Sequence, residues 1–224
     1  MRVRKAFPRI PKHIGFIPDG NRRWAKARGL SAGEGYAAGV SPGICLLEEC
    51  KKLGVQEVSI YGFTQENTHR PKDQTEAYRA ACVDFAQGAL ERGVALLALG
   101  DTASPLFPRE LLPYASRLAG QCNMAVNLLV NYNWNWDIQT ALHTITLKEA
   151  ADTGSVLSKL ASAQVSRIDL IVRWGGRRRL SGFLPLQSAY ADIYVNDAYW
   201  PDYETNHLHD ALRWYEKQDI TLGG

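Results

Sequence analysis

The chain has 224 residues, 46% hydrophobic and 22% charged, with 26 Lys plus Arg against 23 Asp plus Glu and a net charge of +3. These values fit one globular domain with a sizeable core and exclude a disordered chain. A charge of +3 is too weak for bulk nucleic-acid binding, though not for a local basic pocket. Of the 26 basic residues 17 are Arg, whose planar fork matches phosphate and carboxylate oxygens, although codon usage would give the same count. The cysteines at 45, 50, 82 and 122 show neither C-x-x-C nor zinc spacing and read as reduced, mostly buried thiols of a cytoplasmic protein. Residues 1–12 read as a basic extension without the apolar stretch of a signal peptide. No apolar run approaches the roughly 20 residues of a membrane span.

In chain order, Ile14–Ile17 predicts a strand ending at Pro18-Asp19-Gly20, and 21–28 a short polar helix closed by Gly29. A helix follows over 36–53, interrupted at Pro42-Gly43 and ended by Gly54. Strands are predicted at 57–63, 94–99, 125–130, 168–172 and 193–195, and helices at 75–92, 110–119, 137–150 and 208–217. The alternation argues for a single α/β domain, residues 13–224, with a central, mainly parallel sheet flanked by helices. Such sheets bind ligands beyond the carboxyl ends of their strands, so residues just after strands matter most.

Three such loops carry chemistry. After the first strand come Asp19, Gly20, Asn21, Arg22, Arg23 and Trp24: an acid for a hard divalent ion, a glycine for close backbone approach, and arginines for anionic oxygens. An ordinary Asp-Gly turn would share that spacing. After the second strand, Thr64, Glu66, Asn67, His69 and Arg70 crowd seven residues; a capped connector is the plainer alternative. After the fifth, Arg173, Arg177, Arg178 and Arg179 surround Gly175-Gly176, followed by Leu180 and Ser181, and such a cluster calls for an anion; a nucleic-acid contact or a solvated run is the alternative. The G-x-G-x-x-A string from Gly33 to Ala38 follows a helix rather than a strand and so lacks the context of a dinucleotide site. His207 and His209, two apart, point to different helix faces and make no metal pair.

The three loops together resemble the cis-prenyltransferases. The matching strings are HIGFIPDGNRRWAKARG, VSIYGFTQENTHRP, LALGD, VNLLVNY, WDI, DLIVRWGGRRRLSGFLPLQSAYADIYV and WPDY, in family order from about residue 13 to 203. The resemblance implies Mg²⁺-dependent condensation of isoprenoid diphosphates by a homodimer. It implies Asp19 as the catalytic aspartate that binds Mg²⁺, with Asp192 as a second metal ligand. Gly20, Asn21, Arg22 and Arg23 match a phosphate-binding turn flanked by Trp24. Thr64, Glu66, Asn67 and Arg70 match the loop beside the reacting carbons, where the asparagine handles protons. Arg173, Arg179 and Ser181, beside Leu180, match the cradle of the second diphosphate, and His69 is a further proton-relay candidate, because imidazole exchanges protons near neutral pH. The chain departs from the family at Ala32 and Tyr36, where an arginine and a histidine are usual, and at Trp134, Trp136 and Trp174, which would fill an elongation tunnel if they face it. These departures suit an irregular short-chain enzyme, and the resemblance to irregular members of the family implies two dimethylallyl diphosphates joined head to middle with cyclisation, against ordinary cis-condensation with isopentenyl diphosphate.

Overall fold

Apolar residues on both faces of a strand require helices on both faces of its sheet, and five of the six strands have this character. The computed structural model describes residues 7–117 and 122–219. Its strands are β1 (His13–Ile17), β2 (Glu57–Tyr61), β3 (Ala95–Leu99), β4 (Ala125–Leu129), β5 (Leu170–Arg173) and β6 (Asp192–Val195). All pair in parallel, in the order β3-β4-β2-β1-β5-β6. The period-two alternation of side chains sends Ile14, Phe16, Val58, Ile60, Leu96, Val126 and Val172 into one core. Ile17, Tyr61, Leu97, Leu129 and Ile171 enter a second core on the opposite face. β1 lies between β2 and β5, and connections that leave its two sides open a crevice beyond its carboxyl end.

The helices are α1 (Asn21–Ala27), α2 (Ala32–Ala38), α3 (Val40–Leu53), α4 (Lys72–Glu91), α5 (Trp134–Leu142), α6 (Thr153–Ser158) and α7 (Thr205–Tyr215). The helix expected at 36–53 begins earlier and breaks elsewhere. Ser31 and Glu34 form a capping box that starts α2 at Ala32, and the chain bends at Gly39. Pro42 falls in the first turn of α3, where its missing N–H interrupts nothing. The stretch expected as helix at 110–119 is a 3₁₀ segment, Arg109–Tyr114, with Pro113 inside it; residues 118 and 119 lie outside the described residues. The helix expected at 137–150 starts at Trp134, because the Asn133 side chain accepts from the Asn135 N–H at 2.7 Å, and ends at Leu142. Asp152 caps the separate α6. Cys50 and Cys82 are buried but Cys45 and Cys122 are exposed, which corrects the expectation for half of the thiols. Ahead of β1, Phe7 is buried against His209, and Arg9 donates to the Tyr215 and Gln218 carbonyls.

The amino edge of the sheet is pinned by buried polar groups. His13 shares its Nε2 with Ser59 Oγ at 2.9 Å and faces Ser166 through Nδ1 at 3.0 Å. Asn127 donates to Ser59 Oγ and Glu57 Oε1, and Arg117 lies 3.6 Å from Glu57. Burial lowers the pKa of His13 from its ordinary 6.5, against the opposing pull of Glu57 and Asp169. The unfolded chain therefore takes up this proton first, and His13 contributes stability that is present above pH 6.5 and lost as pH falls towards its folded value. Urea midpoints should drop between pH 7.5 and 5.5, with a shallower drop for His13→Asn; equal slopes would remove His13 as the cause.

Candidate active site

β1 delivers Asp19 to the crevice and β5 delivers Arg173, because their register sets Ile17 opposite Arg173. Asp19 Oδ2 accepts from Arg173 Nη2 at 2.7 Å, and Oδ1 lies 3.3 Å from Arg23 Nη2. Arg173 is nearly inaccessible, whereas Asp19 keeps 32% of its side chain exposed. The other terminal nitrogen of Arg173 donates to Ser181 Oγ at 3.1 Å and to the Arg179 carbonyl. Ser181 itself adopts φ +53°, and the Tyr61 hydroxyl holds that turn by donating to its carbonyl at 2.9 Å. Gly20, at φ +113°, turns the chain from Asp19 into α1; a Cβ there would stand 2.8 Å from the Tyr199 ring.

The loop after β2 is partly helical, a 3₁₀ turn over Gln65–His69 in which Thr64 and Asn67 cap each other reciprocally. Glu66 accepts from Asn133 Nδ2 at 2.6 Å, and Arg70 Nη1 donates to the Tyr36 hydroxyl at 2.9 Å. Asp19, Gly20, Asn21, Arg22, Arg23, Thr64, Glu66, Asn67, Arg70, Arg173, Arg179 and Ser181 all line one cleft of about 790 Å³. Seven cationic side chains, including Lys26 and Arg177, face it against two carboxylates, Asp19 and Glu66. A chain that sums to +3 thus concentrates a local excess of five positive charges in one concavity, where field lines focus and anions gather. Asn21 Oδ1 and Arg173 Nε are buried there without hydrogen-bond partners.

Four expected residues are placed elsewhere. Trp24 turns away from the cleft: its Nε1 donates to Asp202 at 2.7 Å beneath the Arg28 guanidinium, tying α1 to the 3₁₀ turn at Trp200–Asp202. Leu180 packs on the second core. His69 lines a separate polar hollow with Asp101, Asn131 and Asn133 and does not line the cleft around Asp19. Asp192 opens β6, opposite Leu170 at the amino edge of β5, whereas Asp19 lies beyond the carboxyl edge. Four residues of strand at about 3.3 Å each set these carboxylates at opposite ends of the sheet, and within one chain they cannot share an ion. The sequence reading missed Lys26, Tyr61 and Tyr78. Lys26 follows Arg22 by four residues, a helical spacing that could have revealed it; the two tyrosines gave no signal separable from core aromatics. Of the tryptophans, Trp134 stands at the cleft wall, Trp136 packs on Tyr132, and Trp174 is wholly buried beneath Trp200 and Tyr203.

Among the described residues no three His, Cys, Asp or Glu side chains converge as a metal cage. One carboxylate, Asp19, inside a cationic cleft does fit Mg²⁺, which is commonly held by one or two carboxylates, substrate phosphate oxygens and water. Asp19→Asn keeps the shape but leaves Arg173 and Arg23 without their counter-charge. It should cost about 1–2 kcal/mol in urea, less than a fully buried pair because Asp19 meets solvent; an unchanged midpoint would show that the pair contributes nothing to stability.

A sequence profile of the undecaprenyl diphosphate synthase (prenyltransferase) family matches residues 17–223. An isoprenyl transferase from Heliobacterium mobile is 34% identical over 96% of this chain and 88% of its own length. One from Leptospira interrogans is 30% identical over 96% and 95%. The crystal structure of lavandulyl diphosphate synthase from Lavandula x intermedia, in complex with dimethylallyl diphosphate, superposes with a TM-score of 0.83 at 24% identity, covering 96% of this chain and 98% of that one; it shows a shared fold. Profile, relatives and fold agree, and the chain belongs to the cis-prenyltransferases, the undecaprenyl diphosphate synthase family, as a prenyl-transferring enzyme.

Proposed function

We propose that this prenyltransferase condenses two molecules of dimethylallyl diphosphate head to middle and cyclises the product to cyclolavandulyl diphosphate, with Mg²⁺ as cofactor, as a cytoplasmic homodimer acting on small isoprenoid diphosphates. The observation that carries this reading is one cleft with two cationic walls meeting at Asp19 and an apolar recess of only about 50 Å³ behind it. The walls suit two diphosphates and the cleft between them holds short hydrocarbon tails, while the small recess leaves no room for a growing polyprenyl chain. The lavandulyl diphosphate synthase fold neighbour, solved with dimethylallyl diphosphate, supports the same substrate class.

Asp19 would hold Mg²⁺ together with diphosphate oxygens, and the bound ion supplies neutralisation of the charge that develops on the departing diphosphate. Arg22 and Arg23 bind the donor's diphosphate, which leaves with the electron pair of the allylic C–O bond. Arg173, Arg179 and Ser181 hold the acceptor so that its alkene faces C1 of the resulting cation, a positioning effect. The new C–C bond at the acceptor's C2 leaves a tertiary cation, and loss of one proton gives a branched ten-carbon diphosphate. Ring closure then requires one proton added to an alkene and one removed. The net reaction releases one diphosphate and one proton. Asn67, Thr64 and diphosphate oxygens face this step, whereas His69 looks into the neighbouring hollow.

Purified protein with Mg²⁺ should convert dimethylallyl diphosphate alone to a cyclic ten-carbon diphosphate, identified as the alcohol after dephosphorylation. With excess isopentenyl diphosphate it should yield nothing beyond ten or fifteen carbons. Product formed only when isopentenyl diphosphate is added would instead make it a short-chain cis-prenyl diphosphate synthase. No product in either mixture would make it a non-catalytic partner subunit.

A further inference from the structure

The recess behind the cationic walls is closed by residues that prenyl-transfer chemistry does not require. Tyr36 and Tyr78 stack with ring centroids 4.4 Å apart and planes 7° from parallel, and Phe63 packs edge-on against Tyr78. Both hydroxyls are tethered, that of Tyr36 by Arg70 Nη1 at 2.9 Å and that of Tyr78 by the Gly62 carbonyl at 2.9 Å. Each tyrosine borders the cleft on one side and the recess on the other. Beyond them the recess is apolar, walled by Val40, Ile60, Cys82, Phe85, Leu128 and Trp200, and burial there pushes the Cys82 thiol up to about 12.

The position of Tyr36 is set by close packing. A Cβ on Gly35 would stand 2.5 Å from the Asn21 carbonyl oxygen, and one on Gly39 2.8 Å from the Trp200 ring, so α2 lies against α1 and the Trp200 turn at a distance only glycine permits. Gly35 of the G-x-G-x-x-A string is therefore a packing glycine, and Gly39 just beyond the string serves the same close approach. This packing presses Tyr36, 4% exposed, across the mouth of the recess. For scale, an engineered apolar cavity of about 150 Å³ takes up benzene, whereas this recess measures about 50 Å³.

We propose that Tyr36, clamped between Tyr78 and Arg70, is the specificity-determining wall that limits the allylic substrate to five carbons. The assignment rests on the reading that the cleft binds prenyl diphosphates. A single methylene in an apolar pocket changes selectivity by about 10- to 200-fold, so removing a phenol ring should be plainly measurable.

The test compares geranyl with dimethylallyl chains, by calorimetric binding of their unreactive thiolodiphosphate analogues with Mg²⁺ and by kcat/KM of the diphosphates with whichever acceptor the wild type uses. Tyr36→Leu should raise the ten- to five-carbon ratio at least tenfold, and Tyr36→Phe, which keeps the ring and loses the Arg70 bond, should leave it within twofold. Phe85→Leu, which enlarges the recess behind the wall, should also leave it within twofold. An unchanged ratio in folded Tyr36→Leu, an equal rise in Tyr36→Phe, or an equal rise in Phe85→Leu would each overturn the assignment; the last stands even if Tyr36→Leu does not fold. Binding is read without turnover, so failure of dimethylallyl self-condensation leaves the assignment standing. Binding of neither analogue by the wild type would overturn it together with the reading on which it rests.

Discussion

The Asp19–Arg173 ion pair, at 2.7 Å, is the contact on which the architecture of the cleft turns. It exists because β1 and β5 pair in parallel with Ile17 opposite Arg173; a slip of one residue would turn every side chain of either strand to the other face of the sheet. Arg173 then reaches sideways to Ser181 and the Arg179 carbonyl, so one buried guanidinium links the loop after β1 to the loop after β5. Two carboxylates among seven cations leave the arrangement short of negative charge. Like charges this close are costly unless an anion neutralises them, and diphosphate groups supply what the protein lacks.

The same economy explains why the sheet's two ends differ. At the amino edge, polar groups satisfy one another: His13, Ser59, Asn127, Glu57 and Arg117 form a closed network. At the carboxyl edge Asn21 Oδ1 and Arg173 Nε lack partners, as Arg9 Nε does beside the amino edge, but at the carboxyl edge the exposed Arg22, Arg177 and Arg179 also gather around one cleft. Satisfied buried networks rigidify a fold, whereas unsatisfied ones mark strain reservoirs or sites that await a ligand. The sheet is thus tied together at its amino end and opens at its carboxyl end on a cleft that suits anions.

Much of this was legible in the sequence where chemistry depends on chain position alone. Strand ends could be placed from apolar runs, and a parallel α/β sheet brings its strand ends together; Asp19, Arg70, Arg173 and Ser181 followed from that. Side-chain direction was not legible. Trp24 sits amid cleft residues in sequence, yet the helical turn aims it at Asp202. Leu180 neighbours Ser181 but points into the core, and His69 ends a 3₁₀ turn that presents it to a different hollow. Asp192 was displaced by one residue of strand boundary and by strand polarity, which sends the first residue of β6 to the far edge. Tryptophans were expected to fill the hydrocarbon space behind the cleft if they faced it. Tyrosines close it instead, because Trp174 and Trp136 point into the cores and glycine packing of α2 fixes where Tyr36 falls.

The claim that Asp19 and its arginines form a diphosphate socket completed by magnesium is tested most directly by calorimetric titration with inorganic pyrophosphate, with Mg²⁺ and with chelator, on wild type and Asp19→Ala. The account predicts that Mg²⁺ strengthens binding to the wild type by at least about tenfold, in keeping with the 10- to 100-fold that even outer-shell metal contacts contribute, and that Asp19→Ala loses this gain while still binding pyrophosphate weakly through its arginines. An equal Mg²⁺ gain in both proteins would contradict it.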